Sequence, residues 1–110
     1  MKTFLLSINA SERTVAHLVL EKENIIVAHG AVAKDPADST KGNLNAIHAS
    51  GPPYLKFILD ELITSCKNNE INSLYIEFTH LDNNSPLIIP YKDLGFTYTG
   101  ASMRYKKEIE

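Results

Sequence analysis

Three side chains able to move a proton stand out in this 110-residue chain: Tyr91, His48 and Glu77. Tyr91 lies in NSPLIIPYKDLGF (84–96), four residues before Gly95, where an apolar run closes on a glycine suited to the end of a helix. A phenol there can act as a general acid; the plainer reading is an amphipathic residue with its ring in the core and its hydroxyl at the surface. His48 ends an expected strand and can act as a base, directly or through water. Its alternative is a partly buried, hydrogen-bonded histidine. Glu77 alternates with Ile76 and Phe78 in SLYIEF, and is either a second candidate base or a solvated carboxylate.

The elements that must hold these residues follow from periodicity. FLLSI (4–8) reads as a short strand, and TVAHLVLE (14–21) alternates, with Ala16, Leu18 and Leu20 on one face. KEN (22–24) is a turn into IIVAHGAVA (25–33), whose near-continuous apolar run suits a central strand. DPADSTKG (35–42) is a loop and NLNAIHAS (43–50) a further strand. A helix then starts at Gly51–Pro52, since proline is tolerated in a first turn. It carries Leu55, Ile58, Leu59, Leu62, Ile63 and Cys66 on one face and fades in KNNE (67–70), with Lys56 and Asp60 expected to pair on its wet side. After the strand SLYIEF (73–78) comes a broken helical stretch (84–94), kinked or split by Pro90, and then strands at 96–100 and 102–107. A hairpin followed by a strand–helix–strand crossover predicts a mixed α/β sheet with flanking helices in one domain. Ligands in such sheets bind beyond the carboxyl ends of the parallel strands, here at Ser50–Tyr54 and after Phe78.

Composition narrows the chemistry. The chain is 44% hydrophobic and 22% charged with a formal net charge of −2, which argues against nucleic acid held by phosphate contacts and against a membrane span. The four histidines and the single cysteine show no ligand spacing, so no metal is expected. Cys66 falls on the helix's apolar face, where packing is the expected role. A lone cysteine and an opening MKTFLLSINA too short for a secretory segment together suggest the cytoplasm.

The order of elements and the stretch NSPLIIPYKDLGF resemble the GNAT-type N-acetyltransferases. In that family the last helix commonly reads Asn, an apolar position, then Tyr-x-x-Leu-Gly-Phe. Asn84, Leu87, Tyr91, Leu94, Gly95 and Phe96 fall on that pattern, and Gly100 on a frequent later glycine. The resemblance spans roughly residues 14–107, its specific part being the C-terminal third. It implies a shortened GNAT-like fold that binds acetyl-CoA, or another acyl-CoA, where two parallel strands part. The pyrophosphate would rest on backbone N–H groups at the start of the following helix. Ile47, Ala49, Ser50, Gly51, Tyr54, Leu55, Asn84 and Tyr91 would then hold the acyl-CoA. An acceptor amine would attack the thioester directly, with Tyr91 protonating the departing thiolate and His48 or Glu77 as base.

Three features depart from the family pattern. The phosphate loop typically reads Arg/Gln-x-x-Gly-x-Gly/Ala, whereas Ser50-Gly51-Pro52-Pro53-Tyr54-Leu55 lacks the cation and both motif glycines. Pro52 and Pro53 have no N–H to offer an anion at the helix start. Losing two charge-assisted hydrogen bonds at about 1.5–3 kcal/mol each weakens binding by about a hundredfold to ten-thousandfold. Residues 9–13 leave room only for a turn where the family carries helices, an open acceptor side suited to a protein or other bulky acceptor, or to a homodimer that completes the pocket. Pro90 interrupts the last helix. Two functions follow: an acyl-CoA-dependent N-acyltransferase, or an inactive GNAT-like fold serving as a binding or assembly module.

Overall fold

The structure, a computed structural model, describes residues 2–5, 14–77, 88–99 and 104–109. Strands β2 (Thr14–Lys22) and β3 (Ile25–Lys34) form a hairpin whose two turn residues, Glu23 (φ 53°) and Asn24 (φ 66°), are both left-handed. That turn matches the right-handed twist of the strands it joins. Strand β1 (Lys2–Leu5) runs antiparallel along the free edge of β2. The loop from Asp35 to Thr40 is held by two carboxylates. Asp35 Oδ1 accepts the Ala37 N–H at 2.8 Å, and Asp38 Oδ1 accepts the Thr40 N–H and hydroxyl at 2.9 and 2.7 Å. Strand β4 (Lys41–Ala49) then pairs antiparallel with β3.

Helix α1 (Pro52–Asn68) crosses one face of the sheet and buries Ile58, Leu59, Leu62 and Cys66 against β2, β3 and β4. Gly30 permits that approach: a Cβ there would stand 2.6 Å from Leu62 Cδ1. The helix ends in a Schellman turn. Ile71 N–H reaches the Cys66 carbonyl at 2.9 Å, with Glu70 left-handed at φ 62°. The chain returns as β5 (Ser73–Glu77), parallel to β4, and β7 (Arg104–Glu108) pairs antiparallel with β5. Strand β6 (Thr97–Tyr98) closes the edge, so the described sheet reads β1-β2-β3-β4-β5-β7-β6. The sheet is mixed, as expected, and one core joins Leu20, Val32, Leu74 and Tyr105 to α1 and to the short helix α2 (Ile89–Asp93).

Several local expectations are corrected. β4 starts at Lys41 rather than Asn43, because Gly42 and Asn43 pair with Leu74 and Tyr75 of β5. Of the strand expected at 4–8, Phe4 and Leu5 belong to β1, while residues 6–8 lie outside the described ones. Of the helical stretch expected at 84–94, α2 covers Ile89–Asp93 and residues 84–87 lie outside the described ones; within α2, Pro90 sits in the first turn, where a missing N–H costs nothing. Lys56 pairs with Asp93 of α2 at 2.9 Å instead of Asp60, tying the two helices together. Both side chains are about half exposed, so the pair contributes roughly 0.2–1 kcal/mol. Gly95 (φ 96°) ends α2 as expected, with Phe96 N–H on the Tyr91 carbonyl at 3.0 Å.

Candidate active site

β4 and β5 pair over only three positions, the last being Asn43 opposite Tyr75. Beyond it they part, and a bulge accounts for the parting. In the β3–β4 ladder Val32 faces Leu44 and Ala31 faces Ala46, leaving Asn45 without a partner. An extra residue bends its strand and increases its twist, here just where β5 falls away. The gap is a cleft of about 350 Å³ floored by Leu44 and Ile76 and lined by Asn43, Asn45, Tyr75, Glu77 and Arg104. Leu44, Leu74 and Ile76 are buried toward the core, so the alternating Asn43, Tyr75 and Glu77 give the opposite face its polar rim. The Arg104 guanidinium lies 4.4 Å from the centre of the Tyr75 ring, with Lys106 and Lys41 at 5.7 and 5.8 Å. Lys106 also pairs with Glu108.

At the other end of β4 the chain turns into α1. Ser50 anchors the turn through its N–H (2.9 Å) and hydroxyl (3.2 Å), both donated to the Val27 carbonyl. Gly51 is the N-cap residue, extended at φ 180°, and no side chain caps the helix. Pro52 and Pro53 supply no donor, and the Tyr54 and Leu55 N–H groups both turn back to the Gly51 carbonyl at 3.1 and 3.0 Å. A cation does stand here. Lys22, at the end of β2, donates from Nζ to the Tyr54 hydroxyl at 3.3 Å and lies 5.7 Å from the centre of its ring. Tyr54 and then Glu23 hold the Lys22 ammonium above its ordinary pKa.

This arrangement of strands and helices is shared by solved acetyltransferases. A Desulfovibrio desulfuricans protein assigned to the GNAT family superposes with a TM-score of 0.75 at 14% identity, over 86% of this chain and 69% of its own. Aminoglycoside 6′-acetyltransferase type Ii gives 0.72 at 14% identity, over 86% and 69%. The fold is that of the GNAT N-acetyltransferases. The ribosomal-protein-alanine N-acetyltransferase of Brucella melitensis shares the GNAT fold at a TM-score of 0.68 and 18% identity, over 84% of this chain and 68% of that one. No family sequence model and no curated protein matches the chain.

Within the GNAT fold the residues singled out from sequence divide into groups. Ile47 and Ala49 lie opposite Gly30 and Ala28, half-buried beyond the bulge, and lead into Ser50, Gly51, Tyr54 and Leu55. Glu77 ends β5 and lines the cleft. His48, exposed on β4, does not line it; its ring sits 5.8 Å from that of His29, its cross-strand partner. Tyr91 is 5% exposed on α2 and meets Phe96 edge-on at 5.8 Å. Burial pushes its phenol up to about 12. Asn84, the stretch Phe78 to Asn84 and Gly100 lie outside the described residues, as does the turn expected at 9–13. Among the described residues no three His, Cys, Asp or Glu side chains gather to hold a metal, and no helix is long and apolar enough to cross a membrane. Sequence reasoning missed Lys22, Asn45 and Arg104. Arg104 alone had a signal, standing in the final strand beside two lysines.

Proposed function

We propose that the protein is an acyl-CoA-dependent N-acyltransferase that acetylates an amine. The parting of β4 and β5 at the Asn45 bulge, inside a GNAT fold, carries this reading. Past Asn43 the β4 backbone stays paired with β3 but not with β5, so the N–H and C=O groups on the β5 side can meet the amides of a pantetheine arm. The fit at the phosphate end is partial. Of the backbone donors there Gly51 N–H remains, and Lys22 with the Tyr54 hydroxyl replaces the proline-blocked groups. Salt-dependent attraction to a lysine substitutes for oriented N–H donors.

The thioester supplies an activated acyl carbon, and the amine forms its C–N bond as the C–S bond breaks. Glu77, at the cleft, takes the amine's surplus proton directly or through water; His48, set away from the lining, reaches it only through water. Tyr91 keeps its proton at neutral pH and donates to the departing sulfur. Thiol release from acetyl-CoA in the presence of primary amines tests the reading. Tyr91→Phe should lower turnover at least tenfold without unfolding the protein; equal turnover would remove the tyrosine from the chemistry.

The Pro52–Pro53 start of α1 favours a second reading, in which the fold has given up acyl-CoA and binds a protein partner. Absence of thiol release together with absence of acetyl-CoA binding would select it.

A further inference from the structure

Glu77 and Arg104 face each other across the β5–β7 ladder and both line the cleft. Opposite charges at directly paired positions on one sheet face ordinarily join. Here no ion pair links them, whereas Lys56 pairs with Asp93 and Lys106 with Glu108. Arg104 instead lays its guanidinium on the Tyr75 ring at 4.4 Å. Stacking occupies the face of a guanidinium and leaves its in-plane N–H fork available to a carboxylate. Lys106 is engaged by Glu108, and neither Lys106 nor Lys41 is among the residues that line the cleft. The cleft therefore offers one carboxylate and one guanidinium, held on adjacent strands and unneutralised by each other.

Resting on the acyl-transfer reading, we propose that the acceptor is a zwitterion: an amine that carries a carboxylate on the same molecule. Its ammonium is drawn to Glu77 and its carboxylate is gripped by Arg104, which aims the nitrogen at the parting of β4 and β5. Purely cationic acceptors are disfavoured, because they lack the carboxylate that Arg104 would grip and bring a like charge to its guanidinium. The balance is complete without another reactant. The ammonium gives up two protons as its nitrogen becomes an amide, one passing through Glu77 to solvent. Tyr91 protonates the thiolate, and the second proton restores the phenol.

The test pairs alanine, 4-aminobutyrate and 6-aminohexanoate with their carboxamides as acceptors of acetyl-CoA. At least one acid should outpace its amide about tenfold or more, the worth of a charge-assisted contact. Arg104→Gln should erase that ratio, Arg104→Lys should keep part of it, and Lys106→Gln should leave it intact. Equal rates for acid and amide, or an unchanged ratio in Arg104→Gln, would overturn the proposal. Nuclear magnetic resonance titration of the same compounds, following the Asn45, Glu77 and Arg104 amides, decides the matter even if no acetyl transfer occurs. If no acetyl transfer or acetyl-CoA binding is found, tighter binding of the acid, lost in Arg104→Gln, supports the zwitterion site while refuting the acyl-transfer reading. Indifference to the carboxylate refutes the site.

Discussion

The Lys22 ammonium and the Tyr54 hydroxyl meet at 3.3 Å although 32 residues separate them in the chain. Their contact joins the end of β2 to the first turn of α1, the helix start to which the proposed function brings the diphosphate. Lys22→Met should weaken acetyl-CoA binding about tenfold or more at low salt, with a smaller effect at high salt. S-acetyl pantetheine, which lacks the diphosphate, should bind both proteins equally. Equal loss for both ligands would mean that Lys22 supports the fold and not the phosphates.

The proline pair at the start of α1 supplies the complementary experiment. Pro53→Gly restores a backbone N–H at the second helical position, where an anion is favoured by the helix dipole. Affinity for acetyl-CoA should rise severalfold, while thermal stability falls because glycine frees the unfolded chain. Unchanged affinity, measured by fluorescence or calorimetry, would argue that this end of the helix does not meet the ligand.

Alkaline stability reads the burial of two side chains. Burial raises the Tyr91 phenol from 10.0 to about 12 and the Cys66 thiol from 9.0 to about 12. The folded state thus keeps protons that the unfolded chain releases. The stabilisation from Tyr91 is complete below about pH 10 and disappears as pH climbs through about 12; that from Cys66 begins to fall about one unit lower. Urea midpoints should therefore drop between pH 8 and 11. Tyr91→Phe and Cys66→Ala should each shrink that drop even where they lower the midpoint at pH 8.

Gly30 carries the contact between β3 and α1. Gly30→Ala places a Cβ 2.6 Å from Leu62 Cδ1 and 3.0 Å from Ile47 Cδ1, and Leu62 is fully buried. Overpacking of this kind costs about 1–3 kcal/mol, so denaturant unfolding should show a clear loss. Because Ile47 lies on the β4 segment beyond the bulge, acetyl-CoA affinity should fall as well.

Local periodicity made much of this fold legible. The β2–β3 hairpin, the apolar face of α1 and the glycine end of α2 each depend on residues close in sequence, and each is found where periodicity puts it. The bulge at Asn45 depends on which strand lies on each side of β4, which no local pattern encodes. Lys22 meets Tyr54 and Lys56 meets Asp93 through the packing of distant elements, which also sets Arg104 opposite Glu77. Lys56 shows the difficulty directly: Asp60 stood one helical turn away, yet the pairing carboxylate belongs to another helix. The order of strands and helices was readable; the chemistry of the cleft was not, because its polar rim comes from three separate strands.

Calorimetric titration of acetyl-CoA into the purified, folded protein tests the central claim most directly. The account predicts saturable one-to-one binding with a Kd below about 1 mM, that is, stronger than about −4 kcal/mol, weakened by salt and by Lys22→Met. No heat at millimolar acetyl-CoA, from a sample whose circular dichroism shows an intact fold, would contradict it.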